Sequence, residues 1–333
     1  MAIANQPSMP QSARATSLSD AQGILDAREL PSPEFSALWD AVLVPVELKD
    51  RLISQAILNF TLRGRLDRAT VPLHGVILLV GPPGTGKTSL ARGLASRTAE
   101  CMESDIPFRY IEVEPHALAS AALGRSQQAV RQLLGSVIAE QADAGPLVVV
   151  LDEVETLAAD RMKMSMEANP IDVHRATDAV LAQLDHLAAR YPNLLFIATS
   201  NFPDAIDSAF LSRADAIETI PLPDGDGCRR ILSDTVLALA SLYPDAAGIM
   251  DDPLFEEACQ ECQGLDGRRI RKALVSACTQ EKEVAIAPGK LKAAHLLAAV
   301  RALQGTRDGR GASSVEEAGS EGEKMRTRKD AQG

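Results

Sequence analysis

Hydrophobic positions along this chain follow two different periods. Short aliphatic runs recur at Val76–Val80, Arg109–Val113, Leu147–Leu151, Leu194–Thr199 and Ile217–Ile220, and four of the five are almost uninterrupted. Runs of that kind predict strands buried on both faces of a parallel sheet. Between them the spacing changes. Val130, Leu133, Leu134, Val137 and Ile138, for instance, repeat at i, i+3, i+4 and i+7, which gathers them on one face of a helix. Strand and helix in alternation predict an open α/β sheet with crossover helices. After Pro223 the strand pattern stops, and Ile231 to Leu242, Leu254 to Cys262, Gly267 to Glu283 and Ala293 to Leu303 carry helical periods alone. The expected organisation is therefore an α/β domain over residues 30–223 and a small all-helical domain over 224–304. Residues 1–29 and 305–333 are polar, small and poor in large apolar side chains, and both are expected to be disordered.

Composition narrows the function classes. The chain has 333 residues, 46% of them hydrophobic and 24% charged, as in ordinary soluble domains. Its formal net charge is −11, which argues against non-specific nucleic-acid binding because that binding draws on clustered Lys and Arg. Aromatic residues make up only 3%, so base stacking is not a theme and the core is aliphatic. No apolar stretch approaches the roughly 20 residues that span a bilayer, and the first residues lack the apolar core of a signal peptide. A cytoplasmic protein is expected. The five cysteines do not read as a disulfide framework. Cys259 and Cys262 form a C-x-x-C without the second pair that a metal site would want, and they read as small buried residues.

The chemistry begins after the first aliphatic run. Val76–Val80 leads directly into Gly81-Pro82-Pro83-Gly84-Thr85-Gly86-Lys87-Thr88-Ser89, and a helical pattern follows. This is G-x-x-x-x-G-K-[ST] in its strand–loop–helix setting. Glycines let the backbone curl so that successive N–H groups face phosphate oxygens, and the helix start adds its positive dipole end. Lys87 is then the candidate for the β and γ phosphates of ATP, and Thr88 for Mg²⁺.

A second element is needed for hydrolysis. Leu147–Leu151 ends in Asp152-Glu153, where one carboxylate can serve Mg²⁺ and the next can polarise an attacking water. A third run, Leu194–Thr199, ends in Ser200-Asn201. Asn201 reads either as a side-chain amide for the γ-phosphate or its water, or as a turn residue before Phe202-Pro203. Arg213, closing Ile206-Asp207-Ser208-Ala209-Phe210-Leu211-Ser212-Arg213, is by spacing either a helix-end charge or an arginine finger.

Phosphate loop, Asp-Glu strand, Asn strand, arginine and helical lid, in this order, resemble the AAA+ ATPases. Within them, Leu151-Asp152-Glu153-Val154-Glu155-Thr156-Leu157, Arg175 to Asp185, Thr199-Ser200-Asn201 and Asp207 to Asp215 are similar to the pachytene-checkpoint family of HORMA-domain remodellers. Glu34 to Asp40 is similar to that family's linker. The resemblance covers roughly residues 30 to 300. It implies a P-loop NTPase core with a parallel five-stranded sheet and a helical lid. It further implies a homo-hexamer with Arg213 acting across the subunit boundary, Arg268 as a second sensor that couples lid to nucleotide, and Val44-Pro45 beside the adenine.

Two departures from the family stand out. His116 to Gly124 occupies the place of the pore loop, but Ala122 stands where an aromatic is usual, before Leu123-Gly124. A small aliphatic loop offers less contact area than a ring, which fits partial unfolding better than processive threading. The family's folded N-terminal docking module also has no counterpart in the first 29 residues. The resemblance implies a bacterial member that disassembles a HORMA–nucleotidyltransferase complex in antiphage signalling. The rival reading, an AAA+ machine for nucleic acid such as a loader or helicase accessory, predicts a basic face.

Overall fold

A computed structural model describes residues 23–102, 104–114, 126–158 and 170–305. Six strands form one sheet: β1 (Ile24–Leu30), β2 (Val76–Val80), β3 (Phe108–Val113), β4 (Leu147–Leu151), β5 (Leu194–Ser200) and β6 (Ala216–Thr219). Their order is β1-β3-β4-β5-β2-β6. Strands β2 to β6 run parallel, and β1 pairs antiparallel with β3 at one edge.

The sheet is thus mixed and six-stranded, where the sequence predicts five parallel strands. The additional strand also corrects the expectation of disorder over residues 1–29, since Ile24 to Glu29 belong to β1. Residues 1–22 and 306–333 lie outside the described residues. An edge strand escapes the aliphatic-run criterion because one side of it meets solvent. In Ile24–Leu30 only the two end residues are buried, and Asp26, Arg28 and Glu29 lie between them.

The central strands show why continuous aliphatic runs mean a sheet covered on both sides. Side chains alternate across the pleat. One face carries Val76, Leu78, Ile111, Leu147, Val149, Leu151, Leu194 and Phe196, the other Ile77, Leu79, Tyr110, Val148, Val150, Leu195 and Ile197. The second face is covered by α1 (Pro33–Ala41), α2 (Val46–Leu62) and α3 (Lys87–Cys101), through Phe35, Trp39, Leu52, Leu90 and Leu94. The first is covered by α4 (Ser126–Gln132), the π-helical turn Leu133–Ile138 that continues it, α5 (Ala139–Asp143) and α6 (Pro170–Arg190). Each fully buried Leu, Ile or Val in these layers contributes roughly 1.5–3 kcal/mol relative to exposure. Arg92 of α3 adds a bidentate pair to Glu112 of β3, at 2.7 and 2.8 Å, and Tyr110 donates to the same carboxylate.

The chain divides into two compact units at Pro221/Leu222. The second is helical: after the short helix α7 (Ser208–Leu211) of the first unit come α8 (Gly225–Ala240), α9 (Pro253–Glu261), α10 (Gly267–Cys278), α11 (Lys282–Ile286) and α12 (residues 293–305). Cys228, Cys259 and Cys262 are buried free thiols there. Burial pushes the Cys262 thiol up to about 12 and the other two to about 11, so all three pack as neutral side chains. No helix of the described residues is long and apolar enough to cross a membrane.

Candidate active site at the carboxyl ends of the central strands

Strand register assembles the site. In the parallel ladder Val80 lies opposite Ser200 and Leu151 opposite Ala198, so β2, β4 and β5 end side by side. The residues that follow them, Gly81, Asp152 and Asn201, therefore emerge at one edge, where open α/β sheets bind their ligands.

The phosphate loop leaves β2 and turns into α3. Gly84 and Gly86 have φ of +83° and +90°, a region glycine enters freely. At Gly86, which caps α3, a Cβ would also lie 3.0 Å from the Val42 side chain. Val42, just before Val44-Pro45, thus lies against the loop. Lys87 opens α3 and is only 5% exposed. Its ammonium donates to the carbonyls of Gly81 and Pro82, both at 2.8 Å, and to Asn201 Oδ1 at 2.7 Å. Thr85 donates to the Pro82 carbonyl, which closes the loop.

The Asp-Glu pair sits beside it. Thr88 Oγ1 donates to Asp152 Oδ1 at 2.8 Å, and Thr199 Oγ1 donates to the same oxygen. The Glu153 N–H donates to Thr199 Oγ1 at 3.2 Å. Glu153 has φ 52° and ψ 53°, and is the one described non-glycine residue at positive φ. That conformation costs on the order of 1–3 kcal/mol and is characteristic of functional positions. Asn201 Nδ2 donates to Glu153 Oε1 at 3.1 Å, so one side-chain amide bridges Lys87 and Glu153.

Lys87, Thr88, Asp152, Glu153 and Asn201, distant in sequence, are therefore one hydrogen-bonded cluster. Arg213 is not part of it. Its guanidinium pairs with Asp185, and its Nη1 donates to the Ala209 carbonyl. Arg268 lies in the second unit, exposed at the second position of α10, whose start Asp266 caps by accepting from Arg269 N–H. The pore-loop stretch His116 to Gly124, with Ala122 and Leu123, lies outside the described residues.

Thr199, Glu155 and Asp185 join the site or its surroundings without a role that the sequence alone assigns them. Thr199 had a readable signal, since a hydroxyl at the end of the strand beside Asp152 can reach that carboxylate. Asp185 is placed only by the packing of α6 against the end of α7. Among the described residues no three His, Cys, Asp or Glu side chains gather as a metal site. The Thr88–Asp152 pair nonetheless fits Mg²⁺, which characteristically takes one or two protein oxygens and completes its shell with phosphates and water.

Residues 77–222 match the family model "ATPase family associated with various cellular activities (AAA)". The chain is 55% identical over 280 residues to CD-NTase-associated protein 6 of Pseudomonas aeruginosa, a match spanning 84% of this chain and 92% of that protein. It is 34% identical to the pachytene checkpoint protein 2 homolog of Oryza sativa subsp. indica, over 73% of this chain, but spans only 58% of that protein's length. Among solved structures, C. elegans PCH-2 superposes with a TM-score of 0.68 at 25% identity, over 86% of this chain and 77% of that one. A structure of the E. coli MS115-1 HORMA:CdnC:Trip13 complex contains a chain with TM-score 0.68 at 19% identity, over 84% and 95%, which speaks to the fold. With this likeness over 84% of its length, the chain belongs to the AAA ATPases, in the branch that holds CD-NTase-associated protein 6 and the pachytene checkpoint proteins.

Proposed function

We propose that this ATPase remodels a HORMA-domain protein, separating it from a nucleotidyltransferase and so switching that enzyme off. The observation that carries the reading is the 55% identity, across 92% of its length, to a protein named for its association with a CD-NTase. The fold neighbour named Trip13 in a HORMA:CdnC:Trip13 complex supports the same partners.

The site's chemistry fits the task. Backbone N–H groups of Gly84, Thr85, Gly86, Lys87, Thr88 and Ser89, at the turn and the start of α3, receive the phosphates of ATP, while Gly81, whose N–H donates to the Ser200 carbonyl, and Pro82 and Pro83, which carry no N–H, shape the loop. Lys87 exchanges its carbonyl partners for phosphate oxygens. Thr88 and Asp152 hold Mg²⁺, which when bound offsets phosphate charge. Glu153 accepts the proton of the attacking water, and Asn201 orients that water. Arg213 acts on the neighbour's nucleotide in a homo-hexamer, and Arg268 couples the helical unit to nucleotide state. The net charge of −11 sets this machine apart from one that works on nucleic acid.

The test is disassembly. A purified HORMA–nucleotidyltransferase complex, incubated with this protein, Mg²⁺ and ATP, is expected to separate on size exclusion. With Glu153→Gln, it is expected to stay intact while ATP still binds. Vigorous ATP hydrolysis beside an intact complex would refute the proposed target, and salt-sensitive DNA binding would favour the loader.

A further inference from the structure

Glu155 lies two residues beyond Glu153, in the 3-10 turn Val154–Thr156. Its Oε1 accepts the backbone N–H of Asn201 at 3.1 Å. Its Oε2 is buried and has no hydrogen-bond partner among the described residues. Glu155 itself is half-buried, but an oxygen that is buried and unpaired is costly and calls for an explanation outside simple stability. The geometry supplies one. Asn201 is the residue whose side chain touches both Lys87 and Glu153, and its backbone position sets how far that amide reaches. The N–H bond from Asn201 to Glu155 fixes the end of β5 against the turn that carries Glu153.

We propose that Glu155 is a positioning residue for hydrolysis: it seats Asn201, and through Asn201 aligns Glu153 with the phosphate lysine. This rests on the reading of Asn201 as the water-orienting amide. Glu155 reaches the cluster through the Asn201 backbone, so its removal is expected to fall on turnover more than on nucleotide affinity.

Four variants of the full chain test this: Glu155→Ala, Glu155→Gln, Asn201→Ala and the double Glu155→Ala/Asn201→Ala. Binding of a fluorescent ATP analogue and steady-state phosphate release are measured for each, with a thermal melt as the check on folding. Glu155→Ala is expected to bind nucleotide within about twofold of the parent and to lose roughly tenfold or more in kcat, by analogy with small displacements in other sites. Glu155→Gln keeps a carbonyl acceptor for the Asn201 N–H and is expected to restore most of that loss. The double variant is expected to be no slower than Asn201→Ala alone, because both effects pass through one amide. A parent-like kcat in folded Glu155→Ala, or a fully additive double variant, would overturn the proposal. If Asn201→Ala itself hydrolyses normally, the Asn201 reading fails and the proposal falls with it. If Asn201→Ala is slow and Glu155→Ala is not, only the role of Glu155 is lost.

Discussion

Arg213 and Asp185 form a two-point ion pair, with Nε at 2.9 Å and Nη2 at 2.6 Å from the two carboxylate oxygens. The guanidinium holds the Asp185 carboxyl below the usual carboxylate range, and the carboxylate in turn raises Arg213. A flexible arginine is thereby confined to one orientation at the end of α7, at the cost of rotamer freedom it would otherwise keep.

If Arg213 serves a neighbour's nucleotide, removing it and removing its holder differ in degree. Arg213→Ala is expected to lower kcat by roughly 10³-fold or more, the scale of an arginine finger. Asp185→Asn, which leaves the arginine but loosens it, is expected to cost roughly 10- to 100-fold. Mixing Arg213→Ala with Glu153→Gln subunits tests the action in trans, because some interfaces then combine an intact arginine with an intact glutamate. Phosphate release measured across mixing ratios should rise above either parent variant; a flat line would place the arginine's work within its own subunit.

Gly93 lies mid-way along α3, where that helix meets α1. A Cβ there would stand 2.6 Å from Trp39 Cβ, 2.8 Å from its Cα and 2.9 Å from its N. The neighbour is backbone, so the helices must separate. Gly93→Ala is expected to destabilise by about 1–3 kcal/mol despite its better helix propensity. Gly248→Ala, with nothing within 4 Å of the new methyl, is the matched control and should remain within about 0.5 kcal/mol. Denaturant titration of the two variants decides the matter.

His74 provides a pH dependence that can be separated from the carboxylates. Burial is the main cause of its lowered pKa, reinforced by Arg68 and, more weakly, Arg213, and opposed by Asp215 and Asp185. The unfolded chain therefore binds this proton more readily than the folded one. The resulting stability is fully present above the unfolded value of about 6.5 and is lost as pH falls through the lower folded value. Unfolding free energy should decrease between pH 7.5 and 5.5, before the lowered carboxylates Glu34, Glu100 and Asp185 begin to titrate. His74→Gln should flatten that slope; an unchanged slope would assign it to other groups.

What could be read from the sequence was what is local in it. Gly81 to Ser89 announces itself because one turn needs its glycines, its lysine and its hydroxyl in fixed order, and Asp152-Glu153 and Asn201 follow from where aliphatic runs stop. Family likeness supplied Arg213 and Arg268, which spacing alone left open. The misses are relationships across space. Thr199 reaches Asp152 only because β4 and β5 are adjacent, a pairing no run of apolar residues specifies. Glu155 serves a backbone N–H, which has no sequence signature. β1 was hidden because a strand at the rim of a sheet trades its apolar residues for charge.

That rim has a consequence for a protein proposed to pull segments loose from others. Freed segments seek open strand edges to join. On one side the sheet ends in β1, whose pairing is irregular between Ile24 and Asp26 and whose middle bears Asp26, Arg28 and Glu29. On the other it ends in β6, four residues long. Neither border offers a long, flat, greasy template, so the machine is built not to become glued to whatever it has just undone.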